Sequence, residues 1–296
     1  MKKALIVVTG VKFSPLKKEF NGGQIVNYID HKGKKYKMNA GAGVVRQLID
    51  DYEIIACGYS QSDAQILESE FGLSKDRFYE VDLLNKQQVG EFVKQVASLK
   101  RSLGLPVYLV HYGGASDTAI PLPNNSLLAH TWEMRAEAIP DLVANNCVTL
   151  INILQAMKQA KIFADQPISK VIFISAAAAV RAKQSLGLDV AQKGAGHGLI
   201  RTVALDLTPE NIFVTEIMPG STDSGFFDND YTLDTAVDIT KNLGYHPTVE
   251  TYPVFTAEQI GDAAKYSLDA NCNIREIVLL PYGQFPHNGS DRKSVV

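Results

Sequence analysis

Short apolar runs alternate with amphipathic segments along this whole 296-residue chain. The runs are Ala4–Val8, Glu53–Cys57, Arg77–Val81, Val107–Val110, Val171–Ser175, Ile212–Gly220 and Arg275–Pro281. Most are near-continuously apolar rather than alternating, which suits strands covered on both faces by helices. Helical patterns follow them at Val44–Tyr52, 61–71, Gln87–Ser102, 131–160 with a break at Pro140, Gln192–Leu207 and Thr256–Leu268. In Gln192–Leu207, Leu199, Ile200, Val203, Ala204 and Leu207 form one apolar stripe. Thr256 and Gln259 have the spacing of a capping box. Strict strand–helix alternation with no linker or repeat predicts an α/β fold: one doubly wound, Rossmann-type domain over 1–296, with a parallel sheet of about seven strands.

Composition excludes several classes. A net charge of −3 argues against nucleic acid as the main partner. The three cysteines, Cys57, Cys147 and Cys272, are unclustered and odd in number, which fits a reducing cytoplasm and neither a disulfide framework nor a metal site. The opening MKKALIVVTG has too short an apolar run for a signal peptide and reads as a buried first strand. No apolar run approaches the roughly 18 residues that would span a membrane.

The first strand closes on Thr9-Gly10, as a dinucleotide-binding βαβ unit begins. The glycines that should open the next helix, Gly41 and Gly43, come only after 28 further residues, 11–38. Within that insertion Gln24–Asp30 and Lys35–Asn39 read as a β-hairpin with a turn at Lys32-Gly33. The split motif has two readings. Either Gly10, Gly41 and Gly43 bring backbone N–H groups to a pyrophosphate, or the glycines pack a helix on a sheet. The hairpin lysines, Lys32, Lys34, Lys35 and Lys37, read as a solvated surface flap, with a cationic lid over phosphates as the alternative. After the second strand stand Tyr59 and Ser60. Neither is the acid that reads a ribose 2′-hydroxyl, which leans toward NADP over NAD or toward no dinucleotide at all, and Tyr59 is suited to stack on adenine.

The centre of the chain carries a resemblance. Ala176 closes the strand VIFIS, Asp189 follows 13 residues later and Lys193 four after that. With Asp82, His111-Tyr112-Gly113-Gly114, Asn146 and Pro219-Gly220-x-Thr222-x-Ser224, this resembles the short-chain dehydrogenase/reductase family over nearly the whole chain. The resemblance implies a nicotinamide cofactor, with Asp82 near the adenine amino group and Gly113 beside the ribose. It places Pro219, Gly220, Thr222 and Ser224 at the nicotinamide, Lys193 on the ribose hydroxyls, and Asn146 holding a water against that lysine. It also implies a substrate under a covering flap at 225–252, and homodimer or homotetramer contacts through the helix at Lys193. The family's serine and tyrosine fall on Ala176 and Asp189, and neither residue replaces them. A carboxyl beside a lysine is ionised at neutral pH and donates no proton. Asp189 is expected to pair with Lys193 at i,i+4 in a helix's first turn. The nearest substitute donors are Tyr112, His111 or a flap tyrosine, and His197 reads as a packed histidine.

These residues leave open an atypical oxidoreductase on a small carbonyl or alcohol, a catalytically silent dinucleotide- or ligand-binding protein, and a non-redox enzyme using Asp189 as base.

Overall fold

The computed structural model describes residues 2–16, 28–113, 137, 139–181, 187–224 and 252–281. Its main sheet takes strands β1 (Leu5–Thr9), β5 (Glu53–Gly58), β6 (Phe78–Glu80), β7 (Val107–His111), β8 (Ser169–Ile174), β9 (Ile212–Pro219) and β10 (Glu276–Leu279). All pair in parallel in the order β10-β9-β8-β7-β1-β5-β6. This is the predicted seven-stranded Rossmann-type sheet. The order reverses between β1 and β7, and ligands of such sheets bind outside the strands' carboxyl ends at that switch point.

The two-sided burial follows from side-chain alternation along each strand. Leu5 and Val7 join one core with Ile55, Val171 and Phe173, while Ile6 and Val8 join the other with Ile54, Ile172 and Ile174. The first core is closed by α3 (Lys86–Leu103), α5 (Thr149–Gln159) and α6 (Gly187–Leu207). The second is closed by α1 (Ala40–Leu48), α2 (Ser62–Phe71) and α7 (Ala257–Asp269). Each fully buried Leu, Ile, Val or Phe contributes about 1.5–3 kcal/mol. Thr256 caps α7 through the expected capping box with Gln259. Helix α6 begins at Gly187, five residues before its predicted start, so Asp189 lies in its first turn. Pro140 falls in the first turn of α4 (Ile139–Val143), where a missing N–H costs nothing; residues 131–136 and 138, on the other side of the predicted break, lie outside the described residues. Among the described residues no helix is long and apolar enough to cross a membrane.

The insertion folds as a second, antiparallel sheet: β2 (Phe13–Pro15), β4 (Lys34–Met38) and β3 (Ile29–His31), in that order. The turn falls at Lys32-Gly33, as predicted. Both residues have positive φ, 53° and 74°, and the Asp30 carboxylate accepts from Gly33 N. Positive φ at both central positions matches the strands' twist. The predicted strand Gln24–Asp30 starts at Ile29 within the described residues, and 24–27 lie outside them.

This small sheet docks on α2. Phe13 packs against Phe71 with ring centroids 5.7 Å apart, and His31 bonds Ser69 and Glu70. Asp63, 3% exposed, accepts from Phe13 N at 3.2 Å. Burial raises its pKa to about 6, against the opposing pull of the Phe13 N–H and the Lys12 charge. A carboxyl raised on folding binds more protons folded than unfolded. Its stabilising state is therefore lost as pH rises from the unfolded value of 3.8 through about 6. Asp63→Asn keeps an acceptor for Phe13 N. Its melting temperature is expected to exceed that of the unaltered protein at pH 7–8, and the two should converge toward roughly pH 4. Parallel curves across that range would show that Asp63 titrates normally.

Candidate active site

The ends of β1, β7, β8 and β9 converge at the switch point with the N-terminus of α1. Asn39 organises that helix start. Its side-chain oxygen accepts from Ala42 N at 2.9 Å and Lys12 N at 3.1 Å, and its amide donates to Gly10 O at 2.6 Å. An Asn cap here rejoins the two halves of the split motif across the insertion. The first-turn N–H groups of Ala40 and Gly41 have no acceptor inside the helix, which leaves them suited to an anion.

The glycines are required by the chain's own packing. A Cβ on Gly10 would lie 1.7 Å from Tyr112 O, and one on Gly41 2.9 Å from Gly10 O. At Gly43 it would meet Ala257 O at 2.0 Å, where α1 crosses α7. Gly113 faces the His111 ring and the Thr149 hydroxyl. Of the two readings of the split motif, helix packing accounts for Gly43.

Across the crevice, Lys193 Nζ donates to Asn146 Oδ1 at 3.0 Å. Asn146 is 1% exposed and lies in a π-helical turn, Ala144–Val148, between α4 and α5. The wider turn interrupts the α-helical ladder, a device frequent at functional sites. Asn146 Nδ2 donates to Leu142 O at 3.1 Å and to Gln192 Oε1 at 2.5 Å, and Gln192 Nε2 donates to Asp189 Oδ1 at 2.9 Å. Lys193 thus reaches Asn146 directly. One expectation is corrected: the Asp189 carboxylate is bonded to Gln192 instead of pairing with Lys193. Gln192 is fully buried and joins the two, although its position beside Lys193 gave no sequence signal.

His111 is held inside the core. It is fully buried, bonded to Thr9 Oγ1 at 2.8 Å, and stacked on Phe173 at 5.6 Å. Burial, with the Lys193 charge second, lowers its pKa to about 3, so it stays neutral at physiological pH. Tyr112 packs over Gly10, its ring 3.5 Å from where a Cβ there would stand. Burial raises its phenol first, and the charge of Asp189 raises it further, which puts the phenol within electrostatic reach of that carboxylate. His197 is packed, as expected, with Nδ1 2.6 Å from the fully buried Glu216, and the Ser175 hydroxyl lies on that side.

After β5, Tyr59 is 60% exposed, and its phenol is raised by partial burial and then by the charge of Asp82. One Asp82 oxygen accepts from Leu84 N. Ser60 and Ser62 bond each other through their hydroxyls at 2.7 Å. Beyond β9, the segment Pro219–Ser224 is fixed to the start of α7. Asp223 N donates to Phe255 O, Phe255 N donates to Ser221 O, and Thr222 bridges Phe255. Gly114 and the flap residues 225–251 lie outside the described residues, while Tyr252 is 1% exposed.

The chain belongs to the short-chain dehydrogenase family, whose model matches residues 40–232. It is similar to solved structures of a short-chain dehydrogenase/reductase from Vibrio parahaemolyticus (19% identity, 93% of this chain and 99% of that one, TM-score 0.58). It is also similar to an alcohol dehydrogenase from the archaeon Thermococcus sibiricus complexed with 5-hydroxy-NADP (15%, 96% and 99%, 0.64). FabI from Candidatus Liberibacter asiaticus matches at 13% identity over 95% of each chain, with TM-score 0.67. A comparison with curated proteins found no match.

Proposed function

We propose that this protein binds a nicotinamide dinucleotide, NADP ahead of NAD, and acts as an atypical oxidoreductase on a small carbonyl or alcohol substrate. The observation that carries this reading is the Lys193–Asn146 bond, kept beside the strand ends although the neighbouring Ser and Tyr positions hold Ala176 and Asp189. The residues present fit the cofactor. Ala40 and Gly41 N–H would take the pyrophosphate, Tyr59 and Asp82 the adenine, Lys193 the ribose, and Thr222 and Ser224 the nicotinamide end. When bound, the nicotinamide supplies the hydride. The chain's own task is then the proton, and Tyr112 is a phenol that feels the charge of Asp189. The substrate would lie under the 225–252 flap. Association through α5 and α6 is supported by Leu205, 69% exposed, and by the groove of Ile151, Leu154, Val203 and Leu207 between those helices. A cytoplasmic location is proposed on the cysteine content.

One observation favours the catalytically silent alternative. Tyr112's surroundings push its phenol up, whereas a proton donor beside an ammonium is normally pulled down. Titration of NADPH and NADH, read by fluorescence and melting temperature, tests the binding. A cofactor at a hundred times its Kd is expected to stabilise by about 2.7 kcal/mol. No shift with either at millimolar concentration would overturn the dinucleotide reading.

A further inference from the structure

We propose that the inserted hairpin positions the segment Ser221–Ser224, and that Lys37 is the residue through which it acts. As a statement about the nicotinamide end of a cofactor site, this rests on the reading above.

Lys37 departs from the expectation of a solvated lysine on a flap. Lys34, three residues earlier on β4, is exposed as a surface lysine should be. The Lys37 side chain is 2% exposed, and its Nζ lies 2.5 Å from Asp223 Oδ1, whose side chain is 1% exposed. Burying both charges is a poor source of stability, because desolvation offsets their attraction, and an apolar pair of the same volume is often the more stable solution. What a short, charge-assisted bond provides is direction.

The two ends of that bond explain what is directed. Asp223 stands in the middle of Ser221–Ser224, immediately after β9, at the root from which the flap leaves. Its backbone ties run to Phe255, on the chain's return into α7. Lys37 adds a tie from a separate sheet. Two residues after Lys37, Asn39 caps α1 and holds Gly10 O and Lys12 N. The short stretch Lys37–Asn39 therefore touches both halves of the crevice, the end of β1 through Asn39 and the end of β9 through Lys37. The insertion works as a bracket that sets the distance between them independently of the main sheet.

The test uses the full-length protein. Lys37→Met keeps the stem and removes the ammonium. Amide exchange at Asp223, Ser224 and Phe255 is expected to accelerate at least about tenfold beyond that in Val93→Ala, a variant destabilised in the distant α3 core. The Kd for NADPH is expected to rise by at least about tenfold. The double variant Lys37→Met/Asp223→Leu removes both charges of this pair and guards against loss of the fold. It is expected to recover the melting temperature but not the affinity. Recovery of both, or exchange no faster than in Val93→Ala, would overturn the positioning role. Binding of neither NADPH nor NADH by the unaltered protein would overturn the dinucleotide reading instead, and the exchange result then decides alone whether Lys37 holds the segment.

Discussion

Gly10→Ala is expected to cost about 3–5 kcal/mol, lowering the melting temperature by about 6–20 °C at roughly 2–4 °C per kcal/mol. Two separate causes add. Gly10 has φ +72°, where a Cβ costs about 1–2 kcal/mol. The new atom would also lie 1.7 Å from Tyr112 O and 2.9 Å from Tyr112 C, backbone atoms that cannot swing aside. The loops after β1 and β7 would have to separate at the switch point, and the Asn39–Gly10 bond would shift with them. Gly33→Ala separates the causes, because Gly33 has φ +74° with nothing within 4 Å of its Cβ position. That variant should lose only the conformational part. Urea unfolding of both measures the difference. Equal losses would mean that the two loops are not in contact. An unchanged melting temperature with weakened cofactor binding would mean that Gly10 serves a ligand rather than the chain.

This contrast bears on what the sequence could disclose. Alternation within β1 and β8 is local, so the doubly covered sheet was legible from the apolar runs. The hairpin turn was legible too, since Lys32-Gly33 punctuates two strands. Strand β2 was not. Phe13-Ser14-Pro15 is three residues with no measurable period, and its pairing with β4 becomes visible only in three dimensions. The bonds among the candidate residues were not legible. Spacing four apart on a helix predicted an Asp189–Lys193 pair. Instead Lys193 turned to Asn146, 47 positions away, presented by the π-helical turn. Lys37 looked like its neighbouring lysines because its partner Asp223 is 186 positions distant. His111 looked like a candidate donor until burial and Phe173 fixed it as neutral. In each case a long-range contact overrode a local rule.

Tyr112→Phe carries the largest expected functional effect. Phenylalanine keeps the ring that packs over Gly10 and removes only the hydroxyl, so the fold should be unaltered. If Tyr112 delivers the proton, kcat for NADPH-dependent reduction of a small carbonyl should fall by about 10²–10⁴-fold, with the Kd for NADPH within about twofold of the unaltered value. The direction of the reaction follows from the raised pKa. A phenol held up by burial and by the Asp189 charge remains protonated through neutral pH. It can give a proton to an alkoxide as hydride arrives, but it is a poor base for alcohol oxidation until the solution is strongly alkaline. Reduction should therefore be the faster direction at pH 7. Asp189→Asn should remove the carboxylate's contribution, lower the phenol's pKa, and move the onset of oxidation to lower pH. Equal turnover by Tyr112→Phe and the unaltered protein would remove Tyr112 from the chemistry. Tight NADPH binding with no turnover by either would instead favour the catalytically silent reading, in which the scaffold and its Lys193–Asn146 bond serve binding alone.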